Sequence, residues 1–297
     1  MRVLGSNPAV YSKTVFILNY DEGGQFYDHH WVPMPPSSSA DGKSSATTLG
    51  ELLPAAQLGV PAGTPVGLGF RVPLVIVSPW TRGHLVYSEV CDHTSVIKFV
   101  EARFKVSCPN ISPWRRSIVG DLTAAFDWAH PDYSWPSLPD TQGNVNASAW
   151  QCAHLPPPKL PLLQSMPVQE PGSRVLRPLP YVLHVTTANA TAASLQLKFE
   201  SEGAQGAAFQ VYNLADPSLP PRKYTVAAGA VLQDDWSVQG GGYSLAAYGP
   251  NGFVRKLSGR YNLLLARCKL QVFLVLNSAS RPPQRCRRYG VYRRPRV

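Results

Sequence analysis

The sequence predicts an α/β domain followed by an all-β sandwich domain, and two patterns support this prediction. Near-continuous apolar runs rich in β-branched residues, at 15–18 and 70–78, are followed by an amphipathic helical pattern over 88–104. Such runs are typical of strands in a sheet that is covered on both faces. Further along, from 181 to 248, short segments alternate apolar and polar residues between Gly, Asn and Pro turns. This spacing is typical of an antiparallel β-sandwich.

The first half of the chain shows its elements in order. A short helix end and the first strand occupy residues 1–32, and a segment rich in Pro, Ser, Gly and Ala, predicted to be a long surface loop, covers 33–66. After the second strand, the helix over 88–104 has Asp92 or Thr94 as its N-cap. A second short helix is expected around 121–126.

The second half begins after a Pro-rich stretch of low periodicity at 129–174, and we place the domain boundary near 165–174. The predicted domains are therefore 1–165 for the α/β part, 174–258 for the sandwich and 259–297 for a tail. The five sandwich strands are predicted at 181–185, 195–199, 208–212, 223–226 and 243–248.

The net charge of +10 belongs to the tail and not to the domains. Ten of the 28 Lys and Arg residues follow Gly259, where no acid occurs, so the remaining 18 basic residues balance the 18 acids. We expect a solvated, disordered tail. Because few aromatic residues accompany these charges, no nucleic-acid partner is expected.

Candidate chemistry is concentrated at the end of the first strand. Two adjacent carboxylates, Asp21 and Glu22, are followed by a glycine pair and then by Asp28, His29 and His30. Acids and imidazoles at the carboxyl end of a strand are typical of active sites in open α/β sheets. The other interpretation is a solvated turn, and we assign His30 a structural role.

A second candidate group lies at the start of the predicted helix, where Asp92 and His93 follow another strand. A helix N-terminus favours an anion such as phosphate. His93 could bind a metal or a phosphate oxygen, with Asp92 ligating or orienting it. The other interpretation is that Asp92 only caps the helix and that His93 faces solvent.

Several classes of site are not indicated. The chain has no GxSxG, P-loop or GxGxxG motif and no recognisable nucleophile, and its five cysteines lack zinc-ribbon spacing. It has no long apolar run and no apolar segment typical of a signal peptide. Sequons at Asn110, Asn146 and Asn189 give weak support for secretion.

Five segments together resemble one family, the bacterial phosphocholine-preferring phospholipases C and acid phosphatases. These are 19–33 (NYDEGGQFYDH with Pro33), 69–83 (GFRVPLVIVSPWTRG), 88–101 (SEVCDHTSVIKFVE), 110–123 (NISPWRR and GDLT) and 174–258, which is similar to the family's C-terminal β-sandwich repeat. In the second segment, His84 stands where a second glycine is usual.

The resemblance implies an alkaline-phosphatase-like α/β/α sandwich, present in part, with one C-terminal β-sandwich repeat. It implies hydrolysis of phosphodiesters in phospholipids of the phosphatidylcholine and sphingomyelin class. Asp21 and Glu22 match the family's Asp-Glu pair, and Asp92 and His93 match a segment lining the same site. We therefore expect Asp21, Glu22 and His93 to be catalytic, and Asp21, Glu22, Asp92 and His93 to be ligands of a divalent metal ion.

No segment of this sequence resembles the family's N-terminal half, which carries the family's Glu-Asn pair and its nucleophile. We therefore expect a C-terminal fragment, inactive alone, of a secreted enzyme that acts on phospholipids or membrane surfaces without an obligate protein partner. The alternative is a non-catalytic chain whose β-sandwich binds lipid or glycan surfaces.

Overall fold

A computed structural model describes residues 1–23, 30–83, 85–157, 159–165, 168, 171–238, 240 and 242–260, with the side chain of Arg2 left out. Among these, residues 1–140 and 175–260 form one compact unit, and residues 141–174 form a second. The first unit therefore contains parts of both predicted domains. The predicted tail lies almost entirely outside the described residues.

The helices are α1 (Arg2–Gly5), α2 (Pro8–Tyr11), α3 (His93–Phe104), α4 (Pro113–Ile118) and α5 (Gln142–His154), with 3-10 turns at Pro79–Thr81, Thr123–Ala125 and Pro250–Gly252. None of the helices in the described part of the chain has the length and apolar character needed to cross a bilayer. The predicted helix over 88–104 is confirmed, although it begins at His93 because Asp92 is its N-cap. The helix expected around 121–126 is a single 3-10 turn.

The strands are β1 (Phe16–Asn19), β2 (Gly42–Ser44), β3 (Leu74–Val77), β4 (Leu85–Val86), β5 (Val175–Leu176), β6 (Leu183–Ala190), β7 (Ser194–Ser201), β8 (Ala207–Asn213), β9 (Arg222–Val226), β10 (Val231–Ser237), β11 (Gly242–Tyr248) and β12 (Val254–Arg260). Each of the five predicted sandwich strands overlaps one of them. Strands β2, β4, β5, β10 and β12 were not predicted from the sequence.

The C-terminal strands form two facing sheets. One has the order β10-β7-β6, and the other has the order β12-β11-β8-β9-β2. Alternate residues of both sheets point into a shared core, in which Phe199 stacks on Tyr224 with ring centroids 4.3 Å apart. The mixed helix-and-sheet first part and the β-rich C-terminal region agree with the predicted fold class at this level.

Several contacts join the N-terminal half to the C-terminal strands, and two of them lie on the larger sheet of the sandwich. The short strand β2 pairs in parallel with β9 at the edge of the larger sheet. On the outer face of that sheet, Trp114 and Ile118 of α4 pack against Ala208, and the Trp114 indole donates to Thr225 Oγ1 at 2.7 Å. Residues 33–66, predicted to be a surface loop, therefore contribute a strand.

The prediction that the first two strands lie in a sheet covered on both faces is wrong for the described residues. Strands β1 and β3 pair with each other, antiparallel, as a two-stranded sheet. Phe16 and Leu18, which share one face of this sheet, remain 40% and 46% exposed, so the described residues cover that face only in part.

Helix α5 was not predicted, because the sequence indicated no regular element between 129 and 174. All of its residues are exposed, and Pro156 and Pro157 follow it closely. A helix that buries no face has no apolar stripe, so the hydrophobic periodicity could not reveal it.

Candidate active site

The segment that carries Asp21 and Glu22 is held in place by backbone contacts. Directly after β1, the Tyr20 N–H donates to the Pro73 carbonyl at 3.1 Å. At Gly23, an added Cβ would lie 2.0 Å from the Arg71 carbonyl oxygen. Because only glycine permits this approach, the acid pair is fixed between two contacts with the chain that leads into β3.

The carboxylates of Asp21 and Glu22 are both exposed. Asp21 Oδ1 accepts the Glu22 N–H at 3.0 Å, which is a local turn contact. The described residues provide no cation in salt-bridge contact with either acid. Their exposure leaves them accessible to a substrate or a cation, and it also fits a solvated turn, so both interpretations of the sequence remain.

His93 lies beside this acidic segment. Its Nε2 is 2.9 Å from the carbonyl oxygen of Tyr20, the residue that precedes Asp21. Because a carbonyl can only accept, Nε2 carries the hydrogen, and in the neutral ring Nδ1 keeps its lone pair. The structure therefore brings His93 next to the peptide leading into the acid pair, while the catalytic roles of these residues stay predictions.

Asp92 is engaged in local structure through both carboxylate oxygens. It caps α3 by accepting the Thr94 N–H at 2.8 Å and the Thr94 hydroxyl at 2.6 Å on Oδ1. Its own N–H donates to Ser95 Oγ at 3.0 Å, which completes a capping box. Its Oδ2 forms an ion pair with Arg115. A metal bound by Asp92 would compete with these partners, and its role as a ligand stays a prediction.

Arg115 joins the start of α3 to the segment that contains Glu51. Its guanidinium donates to both oxygens of Glu51, at 3.0 and 2.8 Å, and to the Gly67 carbonyl at 2.8 Å. The Glu51 side chain is only 3% exposed. Burial opposes the charge of Arg115, but its hydrogen bonds to Glu51 and Asp92 prevail and raise its pKa. This network fixes Asp92 and hence the first turn of α3.

The sequence analysis missed Glu51 and Arg115 as supporting residues. One signal was present: Asp41 and Glu51 are the only acids between residues 33 and 66. The structure pairs both acids, Glu51 with Arg115 and Asp41 with Lys223 at 2.8 Å. An isolated acid in an apolar and Ser-rich segment is thus a signal for a tertiary ion pair.

A polar cluster lies behind the first turn of α3, around Glu89. The Tyr87 hydroxyl donates to the Glu89 carboxylate, and burial raises the pKa of both groups. Burial also raises the pKa of the Cys91 thiol. Burial lowers the pKa of Lys98, whose ammonium donates to the Val119 carbonyl. Tyr87, Glu89 and Cys91 thus contact one another, while Lys98 ties α3 to the backbone at the end of α4.

The described residues include no group of three or more His, Cys, Asp or Glu side chains arranged to hold a metal ion. Asp28 and His29, which the sequence analysis placed in the same acidic segment, lie outside the described residues. The structure gives His30 Nδ1 a contact with the Trp31 carbonyl at 2.8 Å, a local contact.

Comparisons with known proteins confirm the resemblance. Residues 1–107 match the family model for the Phosphoesterase family, and residues 175–260 match the model for the bacterial phospholipase C C-terminal domain. The first match contains the acid pair, Asp92 and His93. The second coincides with strands β5 to β12.

Three similar proteins are named as phospholipases C. The chain is 44% identical to the non-hemolytic phospholipase C of Burkholderia pseudomallei over 267 residues, which cover 87% of this chain and 37% of the relative. It is 42% identical to the non-hemolytic phospholipase C of Pseudomonas aeruginosa, covering 90% and 39%. It is 38% identical to the hemolytic phospholipase C of that organism, covering 92% and 40%. The chain thus spans about two fifths of the length of these curated relatives.

Proposed function

We propose that this chain is part of a phospholipase C-like phosphoesterase that hydrolyses phosphodiester bonds of phospholipids. One observation carries the proposal: His93 Nε2 lies 2.9 Å from the Tyr20 carbonyl oxygen, directly before Asp21. An imidazole therefore lies beside the segment that carries two exposed carboxylates. The matches to the phosphoesterase and phospholipase C family models support it. So do the names of relatives that are 38–44% identical.

In this proposal, His93 acts through Nδ1, because Nε2 is held by Tyr20. A backbone carbonyl that fixes one ring nitrogen orients the other toward a ligand or substrate. Nδ1 would donate a proton to, or accept one from, an oxygen of the phosphoryl group. The exposed position of His93 leaves that nitrogen accessible.

Asp21 and Glu22 would act as charge-stabilising groups or ligands around the phosphoryl group. Two adjacent carboxylates repel each other unless a cation or hydrogen-bond donors compensate them. A divalent metal ion would supply that compensation and neutralise charge on the phosphoryl oxygens.

The substrates we propose are phospholipids of the phosphatidylcholine and sphingomyelin class, met at a membrane surface by a secreted protein. The relatives are named phospholipases C, which supports the lipid class. We also propose that the whole enzyme has an alkaline-phosphatase-like α/β/α sandwich fold, of which this chain forms a part. The alternative, a chain whose sandwich only binds surfaces, is less well supported because the first 107 residues match the phosphoesterase model.

The test measures hydrolysis of p-nitrophenylphosphorylcholine by two proteins, with and without divalent metal ions. One is this chain. The other is the Burkholderia pseudomallei relative in which this chain replaces the region that it matches. We expect turnover by the chimera, and we expect Asp21→Ala and His93→Ala to lower its kcat/KM by at least about a hundredfold, in the range seen for lost acid–base groups.

Asp132→Ala is the matched control, because the Asp132 side chain is 46% exposed and its partners among the described residues are a local turn and an ion pair with Arg82. Its kcat/KM should stay near that of the unmodified chimera. An inactive but folded chimera, or full activity of Asp21→Ala, would contradict the proposal and favour the non-catalytic alternative.

A further inference from the structure

A cavity of about 590 Å³ opens at one end of the β-sandwich. Its lining comes from both sheets: Trp236 belongs to β10 in the smaller sheet, while Arg222 and Tyr243 belong to β9 and β11 in the larger one. The volume lies within the range of about 300–1,000 Å³ that is usual for small-molecule sites. The cavity shares no residue with the candidate active site.

The floor of the cavity is apolar. Trp236, Val238 and Leu245 line it and are buried, belonging to or bordering the sandwich core. Leu219 and Pro220 line it from the exposed β8–β9 connection. A ligand that fits this floor must present an apolar face.

Besides Arg222, the polar residues Asn213, Asp216, Ser237 and Tyr243 line the same cavity. Asn213 uses its carbonyl oxygen to accept the Ala215 N–H at 3.0 Å, which leaves its amide N–H groups as donors. Asp216 uses only Oδ1 for the Ser218 N–H and hydroxyl, at 3.2 and 2.6 Å, which leaves Oδ2 as an acceptor. Together with the Ser237 hydroxyl, they suit a ligand whose own groups both donate and accept.

Arg222 argues against a cationic ligand. It is the cationic residue among the described residues of the lining, and its guanidinium already donates to Asp234 Oδ2 at 3.2 Å and to the Asp235 carbonyl at 3.0 Å. The same guanidinium lies 4.4 Å from the centre of the Trp236 ring. It therefore occupies the indole face on which a quaternary ammonium group would bind. The Asp216 carboxylate in the same lining would repel a phosphate, so a neutral ligand fits better than a phosphate or a trimethylammonium headgroup.

We propose that this cavity binds a neutral pyranose unit of a glycan. A pyranose has an apolar C–H face, which would pack on the floor, and hydroxyl groups, which would bond to Asn213, Asp216 and Ser237. This role is independent of the proposed phosphoesterase activity, because it needs no residue of the candidate active site. It would give the C-terminal domain a means of attaching the protein to glycan-bearing surfaces.

The test uses the full chain and saturation-transfer NMR with glucose, galactose, mannose and N-acetylglucosamine, each titrated to saturation. We expect saturable binding of at least one sugar. Asp216→Ala removes the acceptor, and Ala215→Trp, at the exposed rim, fills the cavity with a bulky ring. Each should weaken binding at least tenfold, and Ala215→Trp reports on the cavity even if Asp216→Ala disturbs its turn.

Asp132→Ala is the control, because Asp132 forms the same kind of turn, accepting the Ser134 N–H at 2.9 Å and hydroxyl at 2.6 Å, outside the cavity lining. It should bind sugar as the unmodified chain does. Absence of binding by all four sugars would overturn the proposal, as would binding that persists in Ala215→Trp. If the chain binds none of the sugars but binds phosphatidylcholine vesicles through this cavity, the cavity is a lipid site and the proposal is also overturned.

Discussion

Lys43 Nζ lies 2.8 Å from Asp234 Oδ1, so a residue of the N-terminal half neutralises a buried acid of the β-sandwich. Asp234 also accepts from the Tyr224 hydroxyl at 2.7 Å and from Arg222 at 3.2 Å. The Asp234 side chain is only 7% exposed. Strand β2, which carries Lys43, thus contributes both backbone pairing and charge to the larger sheet.

The two ends of this ion pair should contribute unequally to stability. Asp234→Ala should lower the free energy of unfolding by about 3 kcal/mol, because it leaves Arg222 and Tyr224 without their buried acceptor. Lys43→Ala should lower it by only about 0.5 kcal/mol, because the Lys43 side chain is 41% exposed and the other partners of Asp234 remain. Urea denaturation of both variants checks this, and equal losses would contradict it.

The structure also predicts that β2 tolerates no side chain at its first residue. Gly42 has a φ of +138°, and an added Cβ would lie 1.8 Å from the Lys223 carbonyl oxygen. Gly42→Ala should therefore destabilise the chain by more than about 2 kcal/mol, since the backbone must move out of the sheet.

Gly229→Ala is the matched control, because Gly229 has a φ of +70° but nothing within 4 Å of an added Cβ. It should lower the free energy of unfolding by only about 1–2 kcal/mol, the strain of the left-handed region alone. Thermal denaturation of both variants measures the difference. If the two substitutions are equally tolerated, β2 is not packed against β9 as described.

Local patterns were sufficient to predict the elements that bury an apolar face. Helix α3 shows this, because its apolar spacing and its Asp92 cap are both local signals. Strand β2, Gly-Lys-Ser, carries no such pattern and exists because it pairs with the edge of β9. Strand β10 was missed because Asp234 points inward where an apolar residue is expected, and only Lys43, Arg222 and Tyr224 make that position favourable.

In the candidate site, too, local patterns predicted the residues but not their arrangement. Asp21, Glu22 and His93 were predicted as site residues because each stands at the end of an element with a local pattern, and their roles stay predictions. Their arrangement depends on the Tyr20 carbonyl, a backbone atom that no side-chain pattern reveals. The Arg115–Glu51 pair joins residues 64 positions apart, so its geometry required the folded chain.

Arg115 should be far more important for stability than its neighbour Arg116. Arg115→Ala leaves the buried carboxylates of Glu51 and Asp92, at 3% and 7% exposure, without their cationic partner, which should cost about 3–5 kcal/mol. The neutral donors Ser112 and Thr94 remain bonded to them. Arg116→Ala breaks a pair in which the Arg116 side chain is 34% exposed, and it should cost about 1 kcal/mol or less.

Arg115→Lys should not restore stability, because a single ammonium cannot span Glu51, Asp92 and the Gly67 carbonyl as the guanidinium does. Urea denaturation of the three variants provides the comparison. Should Arg115→Lys match the unmodified chain, the forked geometry would not be what holds this network.

The pair between Glu101 and Arg116 should make stability depend on pH in the acidic range. The hydrogen bonds from Arg116, at 2.8 and 2.9 Å, and from the Cys108 N–H lower the pKa of Glu101 from 4.5 to about 2. Because the folded-state pKa lies below the unfolded value, the unfolded chain binds more protons between these limits. The stabilisation is therefore complete above about pH 4.5 and is lost as the pH falls toward about 2.

Glu101→Gln should flatten the fall in Tm across this pH window. Glu202→Gln, at a side chain that is 67% exposed, should leave the fall in Tm unchanged. A Tm profile for Glu101→Gln that parallels the unmodified chain would show that this pair does not contribute to acid sensitivity.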